Sequence, residues 1–371
     1  MSPGPRHSPT GISVIIVGAG FACTIESLLR RHTPIILEKA SSITEFTRFG
    51  DIISFDPNGA RHLARWPGVL TAVYKVARQT TGLDFINGHR GELGVEIRYG
   101  KRVTDYWEDE EKAGVVVNGE DMFADIVVAA ESVRSRGRKI VLGFDDEPKS
   151  SGYAVYRSWF SGDAIRDNPV IGHLVQGDSH CGLIGPDLHF LVSNLKGWWE
   201  LIGKEDCLKY VEGWGSIVQE IVRWTPKDAR LIHDKLVFHD ALPTFISPKR
   251  RIAMIGDAAH PFLPTSIQGA SQSIEDGVVL AACLELPGKT DIPIAVQAYE
   301  RLRYERVHEA QATGVKTREK WHKANWDEIA KTPQAIHLTR ESWLLDFDAE
   351  KDCCKRYEGV VKDLQGGRAH L

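Results

Sequence analysis

Asp257 follows the short apolar run Ile252, Met254 and Ile255, with only Gly256 between. That puts a carboxylate at the carboxyl end of an expected strand, where open α/β sheets bind their ligands, and a carboxylate there can accept hydrogen bonds from ribose or ribitol hydroxyls. Pro261 and Pro264 keep the next segment out of a helix, and Gly269-Ala270-Ser271 then opens a helical pattern running through Ile274, Val278 and Ala281. Small residues at that start leave backbone N–H groups able to meet a phosphate or a charged ring. An ordinary strand, loop and buried helix would account for Gly256-Asp257 alone, but the run 251–277 as a whole is more specific. His260 lies inside it and either touches a bound ring or pyrophosphate or bridges strand and loop structurally.

A second nucleotide signal stands near the N-terminus. An apolar strand run at 12–17 precedes Gly18-Ala19-Gly20, a helix candidate covers 22–31, and a second strand at 34–37 ends on Glu38. Glu38 comes 20 residues after Gly18, the separation that lets an acid reach the ribose of an adenine dinucleotide across a βαβ unit. Cys23 occupies the place of the third glycine, which serves helix-to-strand packing rather than phosphate contact.

The elements that must position these residues are also legible. From 153 to about 201 apolar and polar residues alternate, as in YAVYRSWF and HFLVSNL, the pattern of antiparallel strands with one face over a pocket. After Asp291, Val296, Tyr299, Leu302, Val307 and Ala310 recur at helical spacing among many charges, which predicts a long amphipathic helix. Trp321, Trp326 and Trp343 follow in short helical pieces, where packing against the body or a homodimer partner suits them better than a cofactor site.

Together these features resemble the single-component FAD-dependent monooxygenases of the p-hydroxybenzoate and salicylate hydroxylase type, particularly their fungal secondary-metabolism branch. The resemblance rests on VGAG with Glu38, FGDIISFDPNGARHL (49–63), GHRGEL (88–93), YAVYRSWF (153–160) and, most specifically, GDAAHP with QGASQSIED. It implies an α/β fold: a Rossmann-like FAD-binding domain of the glutathione-reductase type with a parallel sheet, an inserted antiparallel-sheet substrate domain, and C-terminal helices. The expected divisions are a tail at 1–10, FAD-binding parts at 11–150 and 246–290, a substrate sheet at 151–245 and a helical region at 291–371.

The resemblance also implies roles. Gly18 and Gly20 belong to the cofactor fingerprint, Glu38 binds the adenosine ribose, and Arg90 helps hold the FAD. Gly50 and Asp51 line the cofactor, Asp257 binds its ribitol side, and Gly269 and Ala270 lie against the isoalloxazine. Arg157, in the strand matching the Tyr-Arg-x-Trp pattern, is the catalytic candidate, placed to pair with a phenolate or carboxylate. Relatives often carry a Tyr about three dozen residues further on, whereas this chain offers His189 and Phe190. Taken without the resemblance, Arg90 reads equally as a solvated arginine and Arg157 as half of a cross-strand ion pair.

The chain departs from the pattern at several points. Its first helix is short, GHRGEL runs directly into GVEIRYGKRV, and 196–205 skips part of the substrate sheet. The family's Asp-Gly pair is replaced by Glu131-Ser132. The leading function is therefore an NAD(P)H-using, O2-dependent FAD monooxygenase that hydroxylates or epoxidises an aromatic or polyketide-like metabolite. The alternatives are a flavin-poor homologue acting as a binding protein and a flavoprotein with a non-oxygenating reaction.

Composition sets bounds on this reading. The 371 residues suit about two domains, and 42% apolar residues can bury a sizeable core. A net charge of −4 leaves no electrostatic footprint for nucleic acid, and the basic run 134–139 reads as solvated. No apolar stretch approaches membrane-span length and 1–10 lacks a signal-peptide core, so a cytoplasmic location is expected. Six cysteines show neither Cys-x-x-Cys nor metal-ligand spacing, the expectation being no metal and reduced thiols.

Overall fold

A computed structural model describes residues 9–18, 26–27, 29–42, 54–66, 69, 84–85, 96–176, 179–185, 188–195, 198–201, 211–226, 230–332 and 341–367. The chain divides into two compact units, one of residues 1–148, 239–315 and 339–371, the other of 149–238 and 316–338.

The first unit is built on a parallel sheet of β1 (Ser13–Val17), β2 (Thr33–Leu37), β5 (Glu96–Arg98), β9 (Ile126–Ala129) and β15 (Ile252–Met254), in the order β15-β9-β1-β2-β5. β1 pairs with β2 and with β9 in parallel, Val17 standing opposite Leu37 and Ala129. β9 and β15 are buried at every position, as continuous apolar runs demand in a sheet covered on both faces. A short pair, β3 (Ser54–Phe55) with β4 (Asp84–Phe85), and an antiparallel meander, β6 (Val103–Glu108), β7 (Ala113–Val117) and β8 (Glu120–Ala124), precede β9.

Helices of this unit among the described residues include α1 (Pro57–Leu63), α2 (Gly137–Leu142), α4 (Gly269–Glu285), the part of α5 (Ile292–His322) up to residue 315, and α6 (Ala349–Gln365). α4 is buried nearly all round, at Ile274, Val278, Leu280 and Ala281 on every side, and shares one core with the parallel sheet and with Val296 and Tyr299 of α5. A helix so enclosed must pair any polar side chain it carries. Arg138, in the basic run expected to be solvated, corrects that expectation: it is 2% exposed. Its guanidinium bonds Asp146 and the carbonyl of Ala258, both at 2.9 Å.

The second unit is an antiparallel sheet, β11 (Ser179–Gly185), β12 (Leu188–Leu195), β13 (Trp198–Leu201), β10 (Lys149–Ser161) and β14 (Arg230–Phe238), in that order. One face is covered by α3 (Ser216–Trp224), whose buried Val218, Ile221 and Val222 meet Phe160, Phe190 and Val192. Among the described residues no helix is long and apolar enough to cross a membrane, and no group of three or more His, Cys, Asp or Glu could hold a metal ion.

Candidate functional site

The carboxyl ends of four adjacent parallel strands carry the residues singled out from the sequence. In spatial order these are Glu38 after β2, Gly18 after β1, Glu131-Ser132 beyond β9, and Asp257 beyond β15. Three strand spacings separate the first from the last, roughly 14 Å, the scale of an extended dinucleotide rather than of a single phosphate.

Gly18 is fixed by close approach. Its φ is +94°, its N–H donates to the Leu37 carbonyl at 2.9 Å, and a Cβ there would lie 2.5 Å from the carbonyl oxygen of Ala130. Only glycine lets the chain leave β1 so near the end of β9. Glu38 is buried, and its Oε1 accepts the N–H of Ala40 at 2.8 Å.

The Asp257 corner is more elaborate. After β15 the chain makes a 3-10 turn over Gly256–Ala258, with Gly256 at φ +56° and its Cα facing Ser273, whose Oγ a Cβ would meet at 2.6 Å. Asp257 is reached by solvent, yet burial by the surrounding protein raises its carboxyl above the usual range, against a nearby His260 that lowers it. A Cβ built on Gly269 would sit 3.9 Å from Asp257 Oδ1 and 3.4 Å from Phe262 Cβ. The first residue of α4 and the Asp257 carboxylate therefore border the same space. The N-cap, Gln268, makes no side-chain cap bond, so its side chain satisfies none of the first N–H groups of α4.

Behind this corner stands a buried polar network that the sequence reading missed. Asp276 accepts the Gly256 N–H at 2.8 Å, and its Oδ2 lies 2.6 Å from His260 Nε2. Arg303 bonds Asp276 at 2.8 Å and Glu275 at 2.5 Å, and Arg306 bonds Glu275 at 2.8 Å. Asn58 donates to Glu275 at 2.7 Å and to Gln268 at 3.1 Å, while Gln268 donates to Asp56. The motifs DPNG and QGASQSIED thus meet each other through these side chains, and His260 serves structure by tying its loop to α4. One signal was available: Arg303 falls between Tyr299 and Val307 at four-residue spacing, inside an apolar stripe where a lone charge needs a buried partner.

In the second unit, Arg157 lies in β10 with its backbone paired to Ile232 of β14; its side chain is outside the described residues. Phe190 packs on the α3 face, edge-on to Trp214 at 5.7 Å, with Val211 and Val218. It is a core residue of this unit. His189, alternate to it, points the other way, with Nδ1 3.1 Å from His322 Nε2 and its ring edge-on to Trp321 at 5.7 Å. Trp321 accordingly packs within its own unit. Gly20, Gly50, Asp51 and Arg90 lie outside the described residues.

No family model matches the chain. It is 32% identical to the FAD-dependent monooxygenase nanF of Aspergillus nanangensis, over 100% of this chain and 95% of that protein. The chain belongs to the FAD-dependent monooxygenases. The asperlicin C monooxygenase of Petromyces alliaceus is 30% identical over 98% of this monooxygenase and 92% of its own length. A crystal structure of CtdE in complex with FAD and a substrate superposes with a TM-score of 0.83 at 29% identity, covering 95% of this chain and 100% of that one. The alignment to nanF runs over 438 positions against the 371 residues of this monooxygenase. That relative therefore carries stretches with no counterpart here.

Proposed function

We propose that this monooxygenase uses NADPH or NADH and O2, with FAD, to hydroxylate or epoxidise an aromatic or polyketide-like small molecule in secondary-metabolite biosynthesis. The observation that carries the reading is the row of Glu38, Gly18 and Asp257 along the carboxyl edge of the parallel sheet, closed by the uncapped start of α4. The row has about the length of a dinucleotide, and the start of α4 at Gly269 stands beside the Asp257 carboxylate.

FAD, when bound, would supply the redox chemistry that links a nicotinamide reductant to O2. The protein's part is to hold and orient it. Glu38 accepts from the adenosine ribose, Gly18 lets the backbone pass close to the pyrophosphate, and Asp257 accepts from the ribitol hydroxyls. The N-terminus of α4, through Gly269 and Ala270, favours negative charge on the adjacent edge of the isoalloxazine. Arg157 pairs with an ionised phenol or carboxylate of the substrate, and Gly20, Gly50, Asp51 and Arg90 complete the cofactor contacts.

The test is the visible spectrum of the protein with added FAD, followed by anaerobic addition of NADPH and of NADH. Flavin bands that bleach with either nucleotide, and oxygen incorporated into a candidate substrate, are the expected results. Steady nucleotide consumption with no oxygen incorporated into any candidate contradicts the oxygenase reading. The stretches absent relative to nanF favour a second reading, a flavin-poor binding protein, for which no flavin is retained at all.

A further inference from the structure

Cys283 and Cys353 are 70 residues apart in the chain, yet their Sγ atoms lie 3.7 Å from each other. Cys283 is on α4 and Cys353 on α6, and both are buried, whereas Cys354 is exposed. α6 docks by one face, on which Ala349, Cys353 and Tyr357 recur every fourth residue as its buried positions. Arg30 braces the same two helices, pairing with Glu285 of α4 and Glu350 of α6. The sulfurs exceed bonding distance by roughly 1.7 Å, a gap of the size that side-chain rotation can close when the Cα atoms are suitably placed.

We propose that Cys283 and Cys353 form a reversible dithiol that closes to a disulfide under hydrogen peroxide, clamping the C-terminal helix onto the helix that begins at Gly269. The pair shares a hydrogen bond that eases the Cys353 thiol down, while burial pushes the Cys283 thiol up, so Cys353 is the attacking sulfur. Its thiolate attacks one peroxide oxygen, the O–O bond breaks, and one water leaves with a proton from solvent, giving a sulfenic acid. The Cys283 sulfur then displaces that hydroxyl, its own proton leaving with it as a second water, and the S–S bond forms. Two thiols are oxidised and one peroxide is reduced to two waters. The inference stands independently of the proposed oxygenase reaction.

Peroxide treatment of the full chain, followed by alkylation and peptide mass mapping, tests it. The expected product is a peptide pair linked through Cys283 and Cys353, reversed by dithiothreitol and formed equally in Cys354→Ser. Closing so long a loop raises the Tm by about 5 °C over the reduced protein, and Cys353→Ser loses both the linkage and that response. The proposal is overturned if Cys283 and Cys353 both remain open to alkylation once the peroxide-treated chain is denatured. A linkage through Cys354, or a Tm response that persists in Cys353→Ser, overturns it equally.

Discussion

Asp276, from within α4, holds the turn that presents Asp257: its carboxylate accepts the backbone N–H of Gly256 at 2.8 Å while Arg303 grips its other oxygen at 2.8 Å. A residue with no route to a ligand of its own thus sets the geometry of one that has. The Asp257 corner is as firm as this buried charge network allows.

Removing one partner of such a pair leaves an uncompensated buried charge. Asp276→Ala is therefore expected to cost about 3–5 kcal/mol in a urea or guanidinium unfolding titration. Asp276→Asn, which keeps an acceptor for Gly256, recovers part of that loss. A cost for Asp276→Ala below about 1 kcal/mol would show that the network does not brace the turn.

The same residue sets an acid limit. Burial opposes ionisation of Asp276, but the charges of His260 and Arg303 outweigh it and hold the carboxyl at about 2, against an ordinary 3.8. A depressed carboxyl contributes its full stability above the unfolded value and loses it as pH falls through the folded one, here between about pH 4 and pH 2. The contribution is roughly 2 kcal/mol. Unfolding midpoints measured across that window should fall steeply in the wild type and less steeply in Asp276→Asn; equal slopes contradict the assignment.

His62 of α1 is a buried liability of the opposite kind. It is 0% exposed, neither ring nitrogen has a hydrogen-bond partner among the described residues, and burial, with Arg65 adding, lowers it to about 4. The unfolded chain takes up this proton first, so stability falls as pH drops from about 6.5 to about 4. His62→Leu removes an unsatisfied polar group. It should leave stability at pH 7 unchanged or raised by about 1 kcal/mol, with a flatter profile between those pH values. A loss of more than about 2 kcal/mol at pH 7 would contradict this account.

Ser132 stands where the resembled family has glycine, and its φ is +70°. An L-residue in that region pays about 1 kcal/mol or more, so Ser132→Gly is expected to raise the unfolding free energy by up to about 1 kcal/mol. A lower stability for Ser132→Gly would mean that the serine side chain holds this turn.

Much of the framework was readable in advance because its signals are local. The runs at β1 and β2, the glycine after the first and the acid after the second occur in one short stretch of chain, and Gly256-Asp257 comes one residue beyond β15. What was not readable depends on pairs far apart in sequence. Asn58 meets Glu275 and Arg303 meets Asp276 only because α1 and α5 both pack on α4, and no periodicity links them. Arg138 sits among charged neighbours in sequence, and its burial rests on Asp146 together with the distant Ala258 carbonyl, which no local pattern reveals. The burial of Phe190 was not readable for a related reason: alternation shows that neighbouring strand residues face opposite ways, but not which face α3 covers.

The central claim is that the Asp257 corner at the start of α4 binds the flavin. Its most direct test is titration of FAD into apoprotein, followed by flavin fluorescence, in the wild type and in Asp257→Ala, with circular dichroism confirming that both are folded. Saturable binding that weakens about tenfold or more in the variant, the loss of one or two charge-assisted hydrogen bonds, is the predicted result. Equal affinity in two folded proteins would contradict it.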